Sequence, residues 1–379
     1  MGSGGSTQLR DENKHIVVVG GGYGGSYLAF LLRKKNHCKV TLIDPKDAMI
    51  HSIGALRAAV DKTYSKKLFL PYGKMLGDTF IQGSVVNLNS KNKTLTLADG
   101  KTITYTHLVI ATGSNTPFPA KVNDLDPPAL KAEESLKIFD DFRNELIASK
   151  KIVLVGGGAV GVELAGEIKT DYPDKEVTII NSRDFLISSR AKPAFQKKLA
   201  QALRQKKITV LLNERVSNLD EVTVNKNVTG QVIKTEGGQT IECDMIIPCT
   251  GTKINNHFFK EELADAINDF GALCVNENLQ VKGHDDIFAL GDVTDIPEEK
   301  MAYVAKMHAA VLAHNLTATK GKLKTYKTGP LGIVVPIGRD GGVAEFKGMI
   351  MGNFLVKTMK SKDLFADMIW SDLGLKPPK

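Results

Sequence analysis

An α/β chain holding two copies of one nucleotide-binding unit, followed by a small α+β region, is what the sequence predicts. Three observations predict it. A strand–glycine–helix–strand pattern occupies residues 15–44, and the same pattern returns over 151–181. Each copy is followed later by an apolar strand ending in Thr-Gly, at Thr112-Gly113 and at Thr250-Gly251. With 379 residues the chain is long enough to bury the cores of two or three domains.

The first copy opens with the apolar run His15 to Val19, a buried strand, which breaks into Gly20-Gly21-Gly22-Tyr23-Gly24-Gly25. Gly20, Gly22 and Gly25 frame a G-x-G-x-x-G. The first glycine permits the tight turn, the second lets a pyrophosphate approach the backbone, and the third lets helix and strand pack closely. A helix over 26–35 and a strand over 39–43 follow, ending in Asp44, a carboxylate placed to accept from a ribose diol. The polar and basic stretch beyond it holds His51, Arg57, Lys62, Lys66 and Lys67. Alternating segments at 84–88, 94–97 and 102–105 read as an antiparallel meander. The strand 108–111 comes next, then a Pro- and Asn-rich crossing over 114–128. A helical pattern over 129–149 places Leu130, Leu136, Phe139, Phe142 and Leu146 in a core.

The second copy runs from the strand Lys151 to Val155 through Gly156, Gly158 and Gly161 to a helix and the strand 176–180. This strand ends in Asn181-Ser182-Arg183, with no acid. A carboxylate here favours a free 2′-hydroxyl, whereas an arginine accommodates a 2′-phosphate, so Arg183 is read either as a phosphate partner or as a surface residue. Ile287 to Leu290 is a buried strand delivering Asp292 at its C-terminal end, and a helix over 301–317 follows. The predicted domains are 15–120 with 265–325, then 121–264, then 326–379, after a flexible N-terminus over 1–14.

Hydrophobic content of 42% and charged content of 24% describe an ordinary globular chain. A net charge of +8 suits an anionic surface, nucleic acid or acidic ligands. The lysines are spread along the chain, which ranks nucleic acid behind the other partners. The four cysteines are scattered without a C-x-x-C, and no metal site is expected. Met1-Gly2-Ser3-Gly4-Gly5-Ser6 fits N-myristoylation at Gly2, and fits a flexible leader equally. One acyl chain binds a membrane only marginally, so a second membrane signal is needed if the motif is real. Residues 346–370 interleave Phe346, Met349, Ile350, Met351, Phe354, Leu355, Phe365, Met368 and Ile369 with lysines. Trp370 is the expected interfacial anchor there; a dimer interface or an ordinary core helix are the alternatives.

Taken together, these motifs resemble the two-dinucleotide-binding flavoprotein oxidoreductases, in the apoptosis-inducing-factor-like branch. The resembling stretches include Ala55-Leu56-Arg57-Ala58, Gly161 to Thr170, Glu214 to Leu219, Lys300-Met301-Ala302-Tyr303 and Lys360 to Leu364. The resemblance implies a pyridine nucleotide-disulfide reductase-like fold with FAD held by Gly20, Gly22, Gly25, Asp44, Arg57, Thr112, Gly113, Asp292, Met301 and Ala302. It implies NADH or NADPH held by Gly156, Gly158, Gly161, Glu163, Asn181, Arg183 and Gly251. It further implies reduction of ubiquinone-type quinones to radical-trapping quinols, protecting lipids from peroxidation and ferroptosis. The setting it implies is cytosolic, peripheral on lipid droplets, the plasma membrane or the outer mitochondrial membrane, with Gly2 acylated.

Two catalytic candidates follow. Glu163, near the start of its helix, is either a carboxylate favoured by the helix dipole or, as the resemblance implies, a group orienting the nicotinamide. Lys360 is either one of a solvated cluster with Lys357 and Lys362 or a cation stabilising charge on the acceptor side. His51 and His308 are weaker candidates for proton delivery. Without a cysteine pair in the first helix, the expected acceptor is an external small molecule and best a quinone. A protein acceptor, or a nucleic-acid-binding role with incidental redox activity, is the alternative.

Overall fold

A computed structural model describes residues 11–122, 129–318 and 323–378. Five parallel strands form the first sheet in the order Ile287–Ala289, His107–Ile110, Asp11–Val19, Cys38–Asp44, Phe80–Gln82. The chain leaves the central strand in one direction and returns on its other side. This makes the C-terminal end of Asp11–Val19 the switch point, where ligands lodge in such sheets. Strand alternation sorts the core. Ile16 and Val18 pack with Leu28 and Leu32 of the helix Tyr23–Lys35 and with Leu312, whereas Val17 and Val19 pack with Val85, Leu95 and Leu263.

The second sheet repeats the plan with four parallel strands in the order Ile208–Leu212, Glu176–Asn181, Lys151–Val155, Met245–Pro248. Val155 stands beside Ile180 on one side and Pro248 on the other, as Val19 stands between Ile43 and Ile110 in the first sheet. The meander forms as expected over Val85–Asn89, Thr94–Leu97 and Thr102–Thr104.

Several expectations need correction. The first strand starts at Asp11, so residues 11–14 are part of the sheet; the Asp11 N–H donates to the His37 carbonyl at 2.8 Å, a backbone bond that leaves no hydrophobic trace. The stretch after Asp44 is not a polar surface. It forms the hairpin Ala48–Ile50 with Phe69–Pro71 and the helix Ser52–Ala58, with Ala55 to Val60 buried. Leu130 is exposed because the helix starts only at Ala132. The crossings between units, Ser114–Asn115 and Lys253–Ile254, pair antiparallel, so the chain is back in the first unit by Phe258. Phe258, Phe259 and Leu263 accordingly pack with Val17 and Ile110, although the sequence reading put them in the second unit.

The C-terminal region bridges both units. Its antiparallel sheet, Gly332–Pro336, Gly342–Phe346 and Met349–Met351, buries Ile333, Val335 and Val343 with Leu164 and Ile168 of the second unit. The helix Ala366–Asp372 sends Ile369 and Trp370 into the core of the first. Trp370 is therefore no interfacial anchor: it is 7% exposed and its indole N–H donates to the Lys67 carbonyl at 3.0 Å. Among the described residues, no helix is long and apolar enough to cross a membrane.

Candidate functional site

Both glycine loops open on one cleft of about 850 Å³, walled by the two units and the C-terminal region. The loops are built alike, and the reason is steric. Gly20 and Gly156 turn at φ of +105° and +125°, where L side chains are strained. A Cβ on Gly25 would lie 1.9 Å from the Gly20 carbonyl oxygen, and one on Gly161 would lie 2.0 Å from that of Gly156. Around Gly22 and Gly158, by contrast, an added Cβ meets nothing within 4 Å. Each stands as N-cap of its helix, Tyr23–Lys35 or Ala159–Asp171. Open room beside N–H groups and a positive helix end is what a pyrophosphate requires. The residues present thus fit two dinucleotides.

Each loop is also tied to the end of the neighbouring strand. Gly21 donates its N–H to Asp44 Oδ2 at 2.7 Å, and Gly157 donates to Asn181 Oδ1 at 2.9 Å. Asp44 lines the cleft, and its Oδ1 accepts from the Lys46 N–H and ammonium, both at 2.9 Å. Asn181 lies off the cleft, its amide nitrogen spent on the carbonyls of Phe185 and Arg183 at 2.8 and 3.2 Å. It supports the loop; direct ligation of the nucleotide is not where its polar atoms point. Arg183 is exposed beside it, its guanidinium 5.7 Å from the Phe185 ring, and Gly251 also lies outside the cleft lining.

Thr112, Gly113, Asp292, Met301 and Ala302 all line the cleft. Asp292 follows the strand Ile287–Ala289 on a 3₁₀ turn and accepts from Ser114 Oγ at 2.6 Å. Met301 caps the helix Ala302–Asn315, whose N-terminus faces the cleft. Sequence reasoning missed four cations of the lining, Lys46, Lys121, Lys300 and Lys306. Burial pulls the Lys121 and Lys300 ammonium groups downward, with Asp292 opposing it in both. The proximity of Lys46 to Asp44 in the sequence was the one available cue.

The two catalytic candidates meet. Lys360 Nζ lies 2.8 Å from Glu163 Oε1 and donates also to the Val334 carbonyl at 3.1 Å, with both side chains facing the cleft. Glu163 comes from the glycine helix of the second unit, and Lys360 from the π-turn Lys357–Ser361. Burial pushes the Glu163 carboxyl upward, and the Lys360 ammonium opposes that rise. An ordinary solvated cluster is excluded for Lys360.

Arg57 does not line the cleft, which corrects its reading as an FAD ligand. Its guanidinium, 1% exposed as a residue, is engaged by Glu167 and by the carbonyls of Ser361 and Lys362. The histidines are fixed in place. His308 Nδ1 accepts from the Gly291 N–H at 3.1 Å, which leaves Nε2 to donate to Glu298 at 2.8 Å. His51 is wholly buried against the Tyr23 hydroxyl at 2.9 Å, and burial pulls its imidazole down to about 4. Of the four cysteines only Cys249 lines the cleft, and burial pushes its thiol up to about 12. A dithiol relay has no partner here.

Residues 14–312 match the family described as pyridine nucleotide-disulphide oxidoreductase. The chain is 38% identical over 378 residues to "Ferroptosis suppressor protein 1" of Xenopus tropicalis, covering 99% of this chain and 100% of that one. It is 39% identical over 376 residues to the protein of the same name from Taeniopygia guttata, with the same coverage. The sulfide:quinone oxidoreductase of Aquifex aeolicus shares the fold at a TM-score of 0.72 and 19% identity, over 95% of this chain and 92% of that one. The chain belongs to the pyridine nucleotide-disulphide oxidoreductase family. It is an oxidoreductase whose cofactors are FAD and NADH or NADPH.

Proposed function

We propose that this family member is an FAD-dependent NAD(P)H:quinone oxidoreductase that makes radical-trapping quinols at a cytosolic membrane face and thereby suppresses ferroptosis. The names of its relatives support the last point. The observation that carries the chemistry is the Glu163–Lys360 pair in the wall of a cleft shared by both nucleotide-binding loops.

FAD, when bound, supplies a two-electron acceptor that can release its electrons together or singly. The protein's part is electrostatic and positional. The Lys360 ammonium stabilises negative charge as it develops on an acceptor oxygen and holds a proton there at Nζ. Glu163 holds that ammonium in place, accepting a charge-assisted hydrogen bond from Nζ at 2.8 Å. Asp44, Asp292 and the helix ends at Gly22, Gly158 and Met301 would hold the ribose and phosphate groups. A small apolar acceptor suits the mouth of the cleft, where Tyr303 and Met368 are both lining and exposed. No cysteine pair competes for the electrons.

Membrane contact is supported by a second surface. Phe346, Met349, Phe354, Leu355 and Met359 are exposed on the C-terminal region among Lys347, Lys357 and Lys362. Exposed apolar side chains interspersed in sequence with exposed lysines suit an anionic leaflet. Gly2, the proposed acylation site, lies outside the described residues.

The test is sequential. The purified yellow protein is bleached with NADH in the absence of oxygen, and short-chain ubiquinone is then added. Recovery of the oxidised spectrum without any protein partner is the expected result. Recovery only with an added redox protein would reject the quinone reading.

A further inference from the structure

We propose that Arg57 is a positioning residue: it grips the backbone just after Lys360 and the helix just after Glu163, so that those two side chains meet across the cleft. The inference rests on the function proposed above. Arg57 belongs to the helix Ser52–Ala58 of the first unit, so it reaches both partners from a third segment. Its Nε and Nη2 donate to the two oxygens of Glu167 at 3.0 and 2.7 Å. Glu167 sits one helical turn beyond Glu163, on the same face. The same guanidinium donates through Nη2 to the Ser361 carbonyl at 2.7 Å and through Nη1 to that of Lys362 at 3.0 Å.

These carbonyls close the π-turn that carries Lys360, where the backbone runs out of helical donors. Tyr64 continues the grip. Its hydroxyl donates to the Asp363 carbonyl at 2.8 Å, and its ring lies 5.5 Å from the guanidinium carbon. Four charges alternate, Arg57 against Glu167 and Lys360 against Glu163, and the inner pair is nearly sealed from solvent. Because Arg57 is not part of the cleft lining, it acts through Glu163 and Lys360. A planar fork with donors in fixed directions suits this work, and a lysine in its place keeps the charge but loses the fork.

Arg57→Lys is therefore expected to retain the FAD content of the parent protein. Reoxidation of its reduced flavin by short-chain ubiquinone should slow about ten-fold, the scale of a displaced catalytic group. Added to Lys360→Ala, the substitution should cause no further slowing, since both remove the same interaction. Glu167→Gln should behave alike, and stands in if Arg57→Lys does not fold. Loss of FAD, an unchanged rate in the folded single variants, or effects that multiply in the double variant each overturn the assignment. A slowed Lys360→Ala beside a normal Arg57→Lys overturns it alone. An unchanged Lys360→Ala overturns the acceptor-side reading and this assignment with it.

Discussion

Glu163 is a carboxylate held where solvation is poor; burial pushes its carboxyl upward, and the Lys360 ammonium, with Arg57 behind it, opposes that rise. Removing Glu163 should leave the flavin cradle untouched, since that loop belongs to the other unit. Glu163→Ala is expected to keep FAD bound while bleaching by NADH slows by about ten-fold or more; stopped-flow absorbance reads both. His51 gives a prediction about stability. Its imidazole falls from an ordinary 6.5 to about 4 on folding, so the unfolded chain takes up the proton first as pH drops. The stabilisation is complete above about pH 6.5 and is lost as pH falls toward 4, by roughly 3 kcal/mol. His107 is pulled down to about 4 as well, by burial, and adds to the same slope. Denaturant melts across this window should flatten in part for His51→Gln.

At the scale of elements, the two glycine loops were the most legible feature of the chain. Their meaning is local: a turn, an open face and a close approach, spaced within six residues each. Gly158→Ala makes use of the open face. The added methyl has room in the protein itself, so the melting temperature should hold, while the KM for NADH should rise about ten-fold as the methyl meets the phosphates. An unchanged KM would place the nucleotide elsewhere. Other roles were not legible because they depend on partners far away in sequence. Arg57 was read from the resemblance as an FAD ligand, and its actual partner, Glu167, stands 110 positions on. Trp370 looked like an interfacial anchor, and its true partner is a backbone carbonyl 303 positions back. The meeting of Glu163 with Lys360 was hidden in the same way, although each residue was recognised singly. Asn181 was placed correctly at the strand end, yet its hydrogen bonds show a loop support in the position that Asp44 occupies in the other copy.

On the scale of the whole molecule, the C-terminal region contributes both to the cleft and to an exposed apolar face. The two contributions are separable. Phe354, 78% exposed and outside the cleft lining, belongs to the face alone. Phe354→Glu should reduce sedimentation with vesicles containing anionic lipid several-fold, while turnover of a water-soluble short-chain quinone stays at the parent rate. Equal sedimentation would remove this face from the membrane reading. The same region has a consequence for synthesis. The segment from residue 357 to residue 372 seats Trp370 in the first unit's core and delivers Lys360 to the cleft, so synthesis must pass it before either is in place. Packing and competence are thus completed together, and a prematurely terminated polypeptide is an unfinished fold rather than a leaky enzyme.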